Sequence, residues 1–154
     1  LGHSVAPNFM FSRNYHFVSS TSSITVDHFS QYAHNLVTNI DIPKNSNVLD
    51  IGSNDGSCLN AFKKLGMNVL GVDPSSHIAQ LANERGINTL NSYFDEDATT
   101  NVLAIIGQPD VITAHNVFAH IRDFDAAITC VKRLLNKNNI FLDNHARSLP
   151  LKIL

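Results

Sequence analysis

The chain has 154 residues, of which 44% are hydrophobic and 16% are charged, and its formal net charge is −2. This length suits one domain with a buried core, and the composition is globular rather than disordered. The charge gives no electrostatic case for nucleic-acid binding, and no apolar run approaches the roughly 18 residues of a membrane span. The two cysteines, Cys58 and Cys130, are interpreted as reduced thiols of a cytoplasmic protein, without a metal or disulfide role.

Residues 1–22 show little periodicity although they include four aromatic side chains. One interpretation is an irregular surface arm whose aromatic residues pack on the domain, and the alternative is a lid over a binding crevice. Residues 23–154 are predicted to form a single domain. Its first helix is predicted over residues 24–40, because apolar side chains recur there at helical spacing, and one of the preceding serines is expected to cap it.

The most informative stretch runs from Asn47 to Ser76. Residues 48–51 and 68–72 are short apolar runs that predict two buried parallel strands. Between them lie a turn over residues 50–56, with two glycines four positions apart, and a short helix that Asp55 or Ser57 could cap. Glycine allows a sharp turn and lets a ligand lie against the main chain. The sequence therefore predicts a strand–turn–helix–strand unit with a ligand site at the turn.

Asp73 comes directly after the second of these strands. Ligands of open α/β sheets bind at the carboxyl ends of the strands, where a carboxylate can accept both hydroxyls of a ribose. The turn reads DxGxxxG and lacks the closely spaced glycines that place a pyrophosphate on a helix N-terminus. A nucleoside without phosphates, most commonly S-adenosylmethionine, fits such a turn better. One alternative is a nicotinamide-dependent oxidoreductase, because Asp73 would serve it equally well. The other is a non-catalytic fragment that binds the cofactor or binds nothing.

Strands and helices continue to alternate after Asp73. The predicted elements are a helix after Pro74, a strand over 89–94, a helix over 95–106, a strand over 110–114, a helix over 123–135 and a strand over 140–142. Alternation of this kind predicts an α/β fold with a doubly wound, mostly parallel, Rossmann-like sheet and right-handed crossovers.

Several segments together resemble class I S-adenosylmethionine-dependent methyltransferases, especially the sugar C-methyltransferases that act on nucleotide-linked ketosugars. The segments are DIGSNDG, GVDPSSHIAQLANERGI, SYFDEDA and AHNVFAHIRDFDAAITCVKRLL. The resemblance covers about residues 10–143 and implies S-adenosylmethionine as cofactor and a small molecule, such as a nucleotide-sugar, as methyl acceptor. In that family a zinc-binding segment precedes this region and a further catalytic domain follows it. The core is therefore expected to be truncated after the fifth strand, and the edge of that strand is expected to self-associate.

Carried over by motif, the resemblance implies a set of cofactor-binding residues in four groups. The turn would face the methionine part of the cofactor, Asp73 and the adjoining proline the ribose, residues 93–95 the adenine, and residues 115–117 the region near the sulfonium. The predicted cofactor-binding residues are Asp50, Gly52, Ser53, Asn54, Gly56, Asp73, Pro74, Phe94, Asp95, His115, Asn116 and Val117.

His120 and Tyr15 are the candidate catalytic residues. C-methylation needs a base that removes a proton next to a ketone, and a histidine titrates in the right range for this. A tyrosine can donate a hydrogen bond to the substrate or transfer a proton. The alternative for His120 is a surface or capping role before the next helix, and for Tyr15 it is simple packing.

Overall fold

The computed structural model describes residues 18–115, 117–118, 121–136 and 138–143. Five strands form one sheet: β1 (Asn47–Ile51), β2 (Asn68–Asp73), β3 (Thr89–Asn91), β4 (Val111–Ala114) and β5 (Ile140–Asp143). The α-helices are α1 (Ser23–Ile40), α2 (Ser57–Lys64), α3 (Ser76–Glu84), α4 (Glu96–Ile106) and α5 (Phe124–Leu134). The strand order is β3-β2-β1-β4-β5, and all four pairings are parallel. The predicted doubly wound α/β fold is confirmed.

Both faces of the sheet are covered, as the short apolar strands require. On one face Leu49 and Ile51 pack with buried side chains of α4 and α5. On the other face Val48 packs with α1, α2 and α3, where Phe62 is fully buried. Successive residues of β1 therefore belong to two different hydrophobic clusters, because side chains alternate between the faces of a strand.

The chain reverses its direction of winding between β1 and β4. The chain passes from β1 outward through β2 to β3, and then returns across the sheet to β4 on the other side of β1. The carboxyl ends of β1 and β4 therefore border a topological switch point, where open α/β sheets bind their ligands.

Two local predictions need correction. The third strand was predicted to extend to Phe94 but ends at Asn91, because its partner β2 ends at Asp73. The Ser92 N–H then donates to the Asp73 carbonyl, at 3.2 Å, and closes the strand pair.

The cap of α2 also differs from the prediction. The N-cap position holds Gly56 in a left-handed conformation, with a φ of 78°. The Asp55 carboxylate, one residue earlier, accepts hydrogen bonds from the Ser57 N–H at 3.3 Å and the Ser57 hydroxyl at 2.8 Å. The predicted serine cap of α1 is confirmed, since the Ser22 hydroxyl accepts the Thr25 N–H.

Within the described ranges, none of the helices is long and apolar enough to cross a bilayer. Cys58 and Cys130 are both free and buried on helices, as predicted.

Candidate cofactor crevice

An open cavity of about 1510 Å³ lies at the carboxyl ends of β1, β2 and β4. This volume exceeds the roughly 300–1,000 Å³ of ordinary small-molecule pockets, so the crevice has room for two small ligands. Ten of the twelve predicted cofactor-binding residues line it: Asp50, Gly52, Ser53, Asn54, Asp73, Pro74, Phe94, Asp95, His115 and Val117.

The cavity wall comes very close to the backbone at Gly52. Gly52 has a φ of 68°, and its N–H donates to the Val72 carbonyl at 2.8 Å, which holds the turn onto β2. A Cβ added to Gly52 would clash with the Val117 side chain. Glycine is therefore required here for two reasons, the backbone conformation and the close approach of a neighbour.

The turn and the second strand are joined through Asp73. Asp73 Oδ2 accepts the Asn54 N–H and Oδ1 accepts the Ser75 N–H, each at 2.9 Å. Burial raises the pKa of the Asp73 carboxyl above its ordinary value; the two hydrogen bonds act in the opposite direction, and the nearby Asp50 carboxylate raises the pKa further. A carboxylate has about four lone-pair sites, so Asp73 can accept further hydrogen bonds from a ligand.

The glycine turn also packs closely against β2, where Ser53 lies next to Gly71. A Cβ on Gly71 would lie 2.8 Å from Ser53 Cβ and 2.9 Å from Thr89 Oγ1. The absence of a side chain at Gly71 thus allows Ser53 to pack against β2. Ser53 is buried, and its hydroxyl has no hydrogen-bond partner among the described residues.

His115 lies between the sheet and α1. Its ring contacts Phe29 and Tyr32 edge-on, with centroid distances of 5.1 and 5.2 Å, and its Nδ1 lies 3.6 Å from Asp50 Oδ1. Neither ring nitrogen has a hydrogen-bond partner in the part of the chain that the structure describes. Asp50 Oδ1 accepts the Thr113 hydroxyl at 2.8 Å, so Asp50 is anchored to β4. The ring nitrogens of His115 are therefore polar groups in the cavity wall that a ligand could satisfy.

One group in this wall has the composition of a metal site. One ligand atom each from Asp50, Cys58 and His115 lie within 4.8 Å of one another. Burial raises the pKa of the Cys58 thiol well above its ordinary value, and the Asp50 carboxylate raises it further. Metal coordination requires the thiolate. The sequence prediction of no metal site stays a prediction.

Carboxylates predominate at the rim of the cavity. Asp95 caps α4 by accepting the Ala98 N–H at 2.9 Å, and Glu96 and Asp97 follow it in the first turn. Among the described lining residues six are acidic, whereas Arg122 is the single arginine or lysine. Such a lining favours a ligand with positive charge.

Other predicted site residues have different positions. Gly56 does not line the cavity in the described structure, and a Cβ there would lie 2.8 Å from Ile87 Cγ2, so the position has no room for a side chain. Asn116, His120 and Tyr15 fall outside the described residues, and their roles stay predictions.

α1 and the residues before it contribute one side of the crevice that no sequence motif predicts. Ser19, together with Thr25, His28 and Phe29 of α1, lines the cavity. The polar residues among these lie on the outer side of an amphipathic helix, where solvent exposure is the ordinary expectation. The lid alternative for residues 1–22 includes Ser19, but no sequence signal singled out Thr25, His28 and Phe29.

The strand order, the glycine turn and the buried carboxylate after β2 define the cofactor-binding domain of a class I methyltransferase. A family model described as methyltransferase domain matches residues 26–151. The chain therefore belongs to the methyltransferase-domain family.

A relative and several solved structures are similar to this chain. The C-methyltransferase NovU of Streptomyces niveus is 28% identical over 141 residues, which are 92% of this chain and 33% of NovU. An S-adenosylmethionine-dependent methyltransferase from Clostridium acetobutylicum matches with a TM-score of 0.61 and 16% identity, over 77% of this chain and 49% of the other. The plantazolicin methyltransferase BamL, whose structure contains a triazolic desmethylPZN analogue and SAH, matches with a TM-score of 0.60 and 20% identity, over 80% and 47%. The chain thus spans about a third of the curated relative and about half of the two solved chains.

S-adenosylmethionine is the cofactor that this family implies. The crevice fits it in three respects. Asp73 offers a carboxylate for a diol, the glycine turn brings residues 52–54 to the cavity wall, and the acid-rich lining complements a sulfonium and an ammonium group. The residues present therefore fit the group.

Proposed function

We propose that this chain is the S-adenosylmethionine-binding core of a methyltransferase that methylates a carbon atom of a small molecule, of the nucleotide-linked ketosugar type. The observation that carries the proposal is the hydrogen bond from the Asn54 N–H to Asp73 Oδ2, at 2.9 Å. It links the glycine turn to the carboxylate after β2 at one edge of the crevice, so both motifs face the same ligand.

Each part of the crevice has a distinct role in this proposal. Asp73 accepts the ribose hydroxyls, the backbone from Gly52 to Asn54 supports the methionine part, and the wall at Phe94 and Asp95 borders the adenine. When bound, S-adenosylmethionine supplies a methyl group on a sulfonium, which is an electrophile. His115 and its aromatic neighbours on α1 exclude water from the inner end of the cavity.

The choice of carbon as the methylated atom is supported by the similarity to NovU over most of this chain. Carbon methylation requires removal of a proton from the carbon next to a ketone. His120 is proposed as the base that takes this proton, and Tyr15 as the residue that orients the acceptor. Both proposed roles rest on the sequence motifs alone.

The nucleotide part of the proposed acceptor needs positive charge. In the described lining, Arg122 is the single arginine or lysine, and its side chain is exposed. Arg122 can pair with a phosphate in bidentate geometry. Replacement by leucine should therefore weaken binding of a nucleotide-linked acceptor more than binding of the cofactor.

A second expectation concerns assembly and cellular location. Among the described strands β5 pairs with β4 alone, so self-association through its other edge is retained as a proposal. A cytoplasmic location is likewise proposed, on the two free, buried thiols.

Calorimetry with S-adenosylhomocysteine and with NAD, side by side, tests the cofactor. We expect S-adenosylhomocysteine to bind and NAD to bind much more weakly, and tighter binding of NAD would overturn the proposal. A methyl-transfer assay with a nucleotide-linked ketosugar and with the corresponding free sugar then tests the acceptor. Transfer to neither compound, by the full-length protein with cofactor bound, would exclude this substrate class while leaving the cofactor assignment intact.

A further inference from the structure

The cofactor turn makes a second set of contacts, which the proposed function does not use. Segment 18–22 lies against this turn before the chain enters α1. The Ser19 N–H donates to Asn54 Oδ1 at 3.1 Å, and the Ser20 N–H donates to Asp55 Oδ2 at 3.0 Å. Two consecutive amides of the segment thus bond to two consecutive side chains of the turn.

Asp55 is the centre of these contacts. It is 1% exposed, and its Oδ2 also accepts a hydrogen bond from the guanidinium of Arg85, which follows the last residue of α3. Arg85 additionally donates to the Ser20 hydroxyl at 2.6 Å. Burial by itself would raise the pKa of the Asp55 carboxyl, but the hydrogen bonds from Ser20, Ser57 and Arg85 hold that pKa below its ordinary value. The carboxylate is therefore ionised at neutral pH and retains its partners.

Asn54 connects this cluster to the crevice. Its N–H donates to Asp73 while its side-chain oxygen accepts from Ser19, and its φ of 51° is left-handed. Asparagine is one of the few non-glycine residues that adopt this conformation routinely. Since Ser19 and Thr25 line the cavity, segment 18–22 continues directly into one wall of the crevice. Movement of the segment away from the turn would therefore open that wall and remove the Ser19 hydrogen bond from Asn54, whose Oδ1 also accepts the Asp55 N–H at 2.9 Å.

We propose that Asn54 and Asp55 couple ligand binding in the crevice to the docking of segment 18–22, with Arg85 as a positioning residue that acts through Asp55. This inference rests on the proposed binding of the cofactor at Asp73. A ligand that bonds to Asp73 holds its carboxylate in place, and this carboxylate accepts the Asn54 N–H. Asn54 is then held in place as well, and its Oδ1 is the acceptor for the Ser19 N–H. Such coupling is reciprocal, so docking of the segment strengthens ligand binding by the same factor.

Amide hydrogen exchange of the full chain tests the coupling directly, because the donors are backbone amides. We expect saturating S-adenosylhomocysteine to slow exchange at Ser19 and Ser20. Unchanged exchange at both amides, with the ligand bound, would overturn the coupling alone. Failure of the parent chain to bind S-adenosylhomocysteine would overturn the proposed function, and the coupling with it.

A matched pair of variants separates coupling from general stabilisation. Arg85 and Arg133 each form one ion pair and are 42% and 44% exposed, but Arg133 joins α5 to Glu96 of α4. We expect Arg85→Leu to speed exchange at Ser19 and Ser20 and to weaken S-adenosylhomocysteine binding about fivefold or more. Arg133→Leu should leave exchange at Ser19 and Ser20 unchanged, because Arg133 does not contact segment 18–22 or Asp55.

A conservative substitution completes the test. Arg85→Lys keeps a positive charge near Asp55 but loses the geometry that bonds two acceptors, so it should restore part of the affinity. Faster exchange in Arg85→Leu with an unchanged dissociation constant would show that the ion pair only fastens the segment, which contradicts the proposal. An unchanged exchange rate would contradict it as well.

Discussion

The backbone N–H of Asn54 donates to Asp73 Oδ2 at 2.9 Å, across 19 positions of the sequence. This hydrogen bond joins the loop after β1 to the loop after β2. It places the Asp73 carboxyl group, the left-handed residue Asn54 and the glycine turn at one edge of the crevice. Changes at Asp73 should therefore affect ligand binding more than they affect the fold.

Asp73→Ala should weaken S-adenosylhomocysteine binding by about 1.5–3 kcal/mol, the range for hydrogen bonds to a charged group. This corresponds to at least about tenfold in the dissociation constant, which calorimetry can measure. The matched control is Asp110→Ala. Asp110 also accepts a backbone N–H, from Asn47 at 2.7 Å, but it lies at the opposite end of the sheet. Equal affinities for the folded Asp73→Ala variant and the parent would exclude Asp73 as the ribose ligand.

Ligand affinity should depend on pH through the same carboxyl group. Burial raises the pKa of Asp73 in the free protein, whereas hydroxyl donors from a ligand favour the ionised form. Affinity should thus be complete above the raised pKa and should fall as the pH is lowered through it. Titration of binding against pH checks this expectation. In Asp73→Asn the loss of ligand affinity at low pH should be much smaller. An equally steep loss of affinity in this variant would show that another group is responsible for the pH dependence.

Gly52→Ala should abolish or strongly weaken cofactor binding. The left-handed conformation costs a non-glycine residue about 1–2 kcal/mol, and the new methyl group would also clash with Val117. Gly66→Ala is the control, since Gly66 has a φ of 86° but open space around it, with the nearest Lys44 side-chain atoms at 3.9 Å. Both variants should lose stability in urea titrations, but only Gly52→Ala should lose affinity. Normal binding by Gly52→Ala would show that the turn does not contact the ligand.

Phe62→Ala should destabilise the fold by about 3–5 kcal/mol, the usual cost of removing a buried aromatic ring. Phe62 is fully buried on α2, and its ring contacts Tyr32 edge-on at a centroid distance of 6.2 Å. Phe124 is 53% exposed, so Phe124→Ala should cost about 0.5 kcal/mol or less. Urea denaturation of both variants measures the difference. A small effect at Phe62 would contradict the assignment of this cluster as the core between α1, α2 and the sheet.

The local pattern of the sequence determined most of the fold and part of the crevice. Alternation of short apolar strands with amphipathic helices was enough for the α/β class, because the side-chain period depends only on neighbouring residues. The DxGxxxG turn and Asp73 were identifiable for the same reason. Each sits at a strand end, and the carboxyl ends of parallel strands share one edge. The motifs thus indicated the cofactor, and they predict the edge of the sheet at which it binds.

Only the tertiary structure decided which other residues complete the crevice. Asp55 and Arg85 are 30 positions apart, and their pairing depends on where α3 ends relative to the turn. Gly56 belongs to the same motif as Gly52, but only the structure shows that it lies against Ile87 and not in the lining of the cavity. α1 carries polar side chains into the cavity because its apolar side packs on α2 and the sheet, a contact with no local signature. Periodicity specifies which face of an element is buried, whereas the partner of that face is determined by packing.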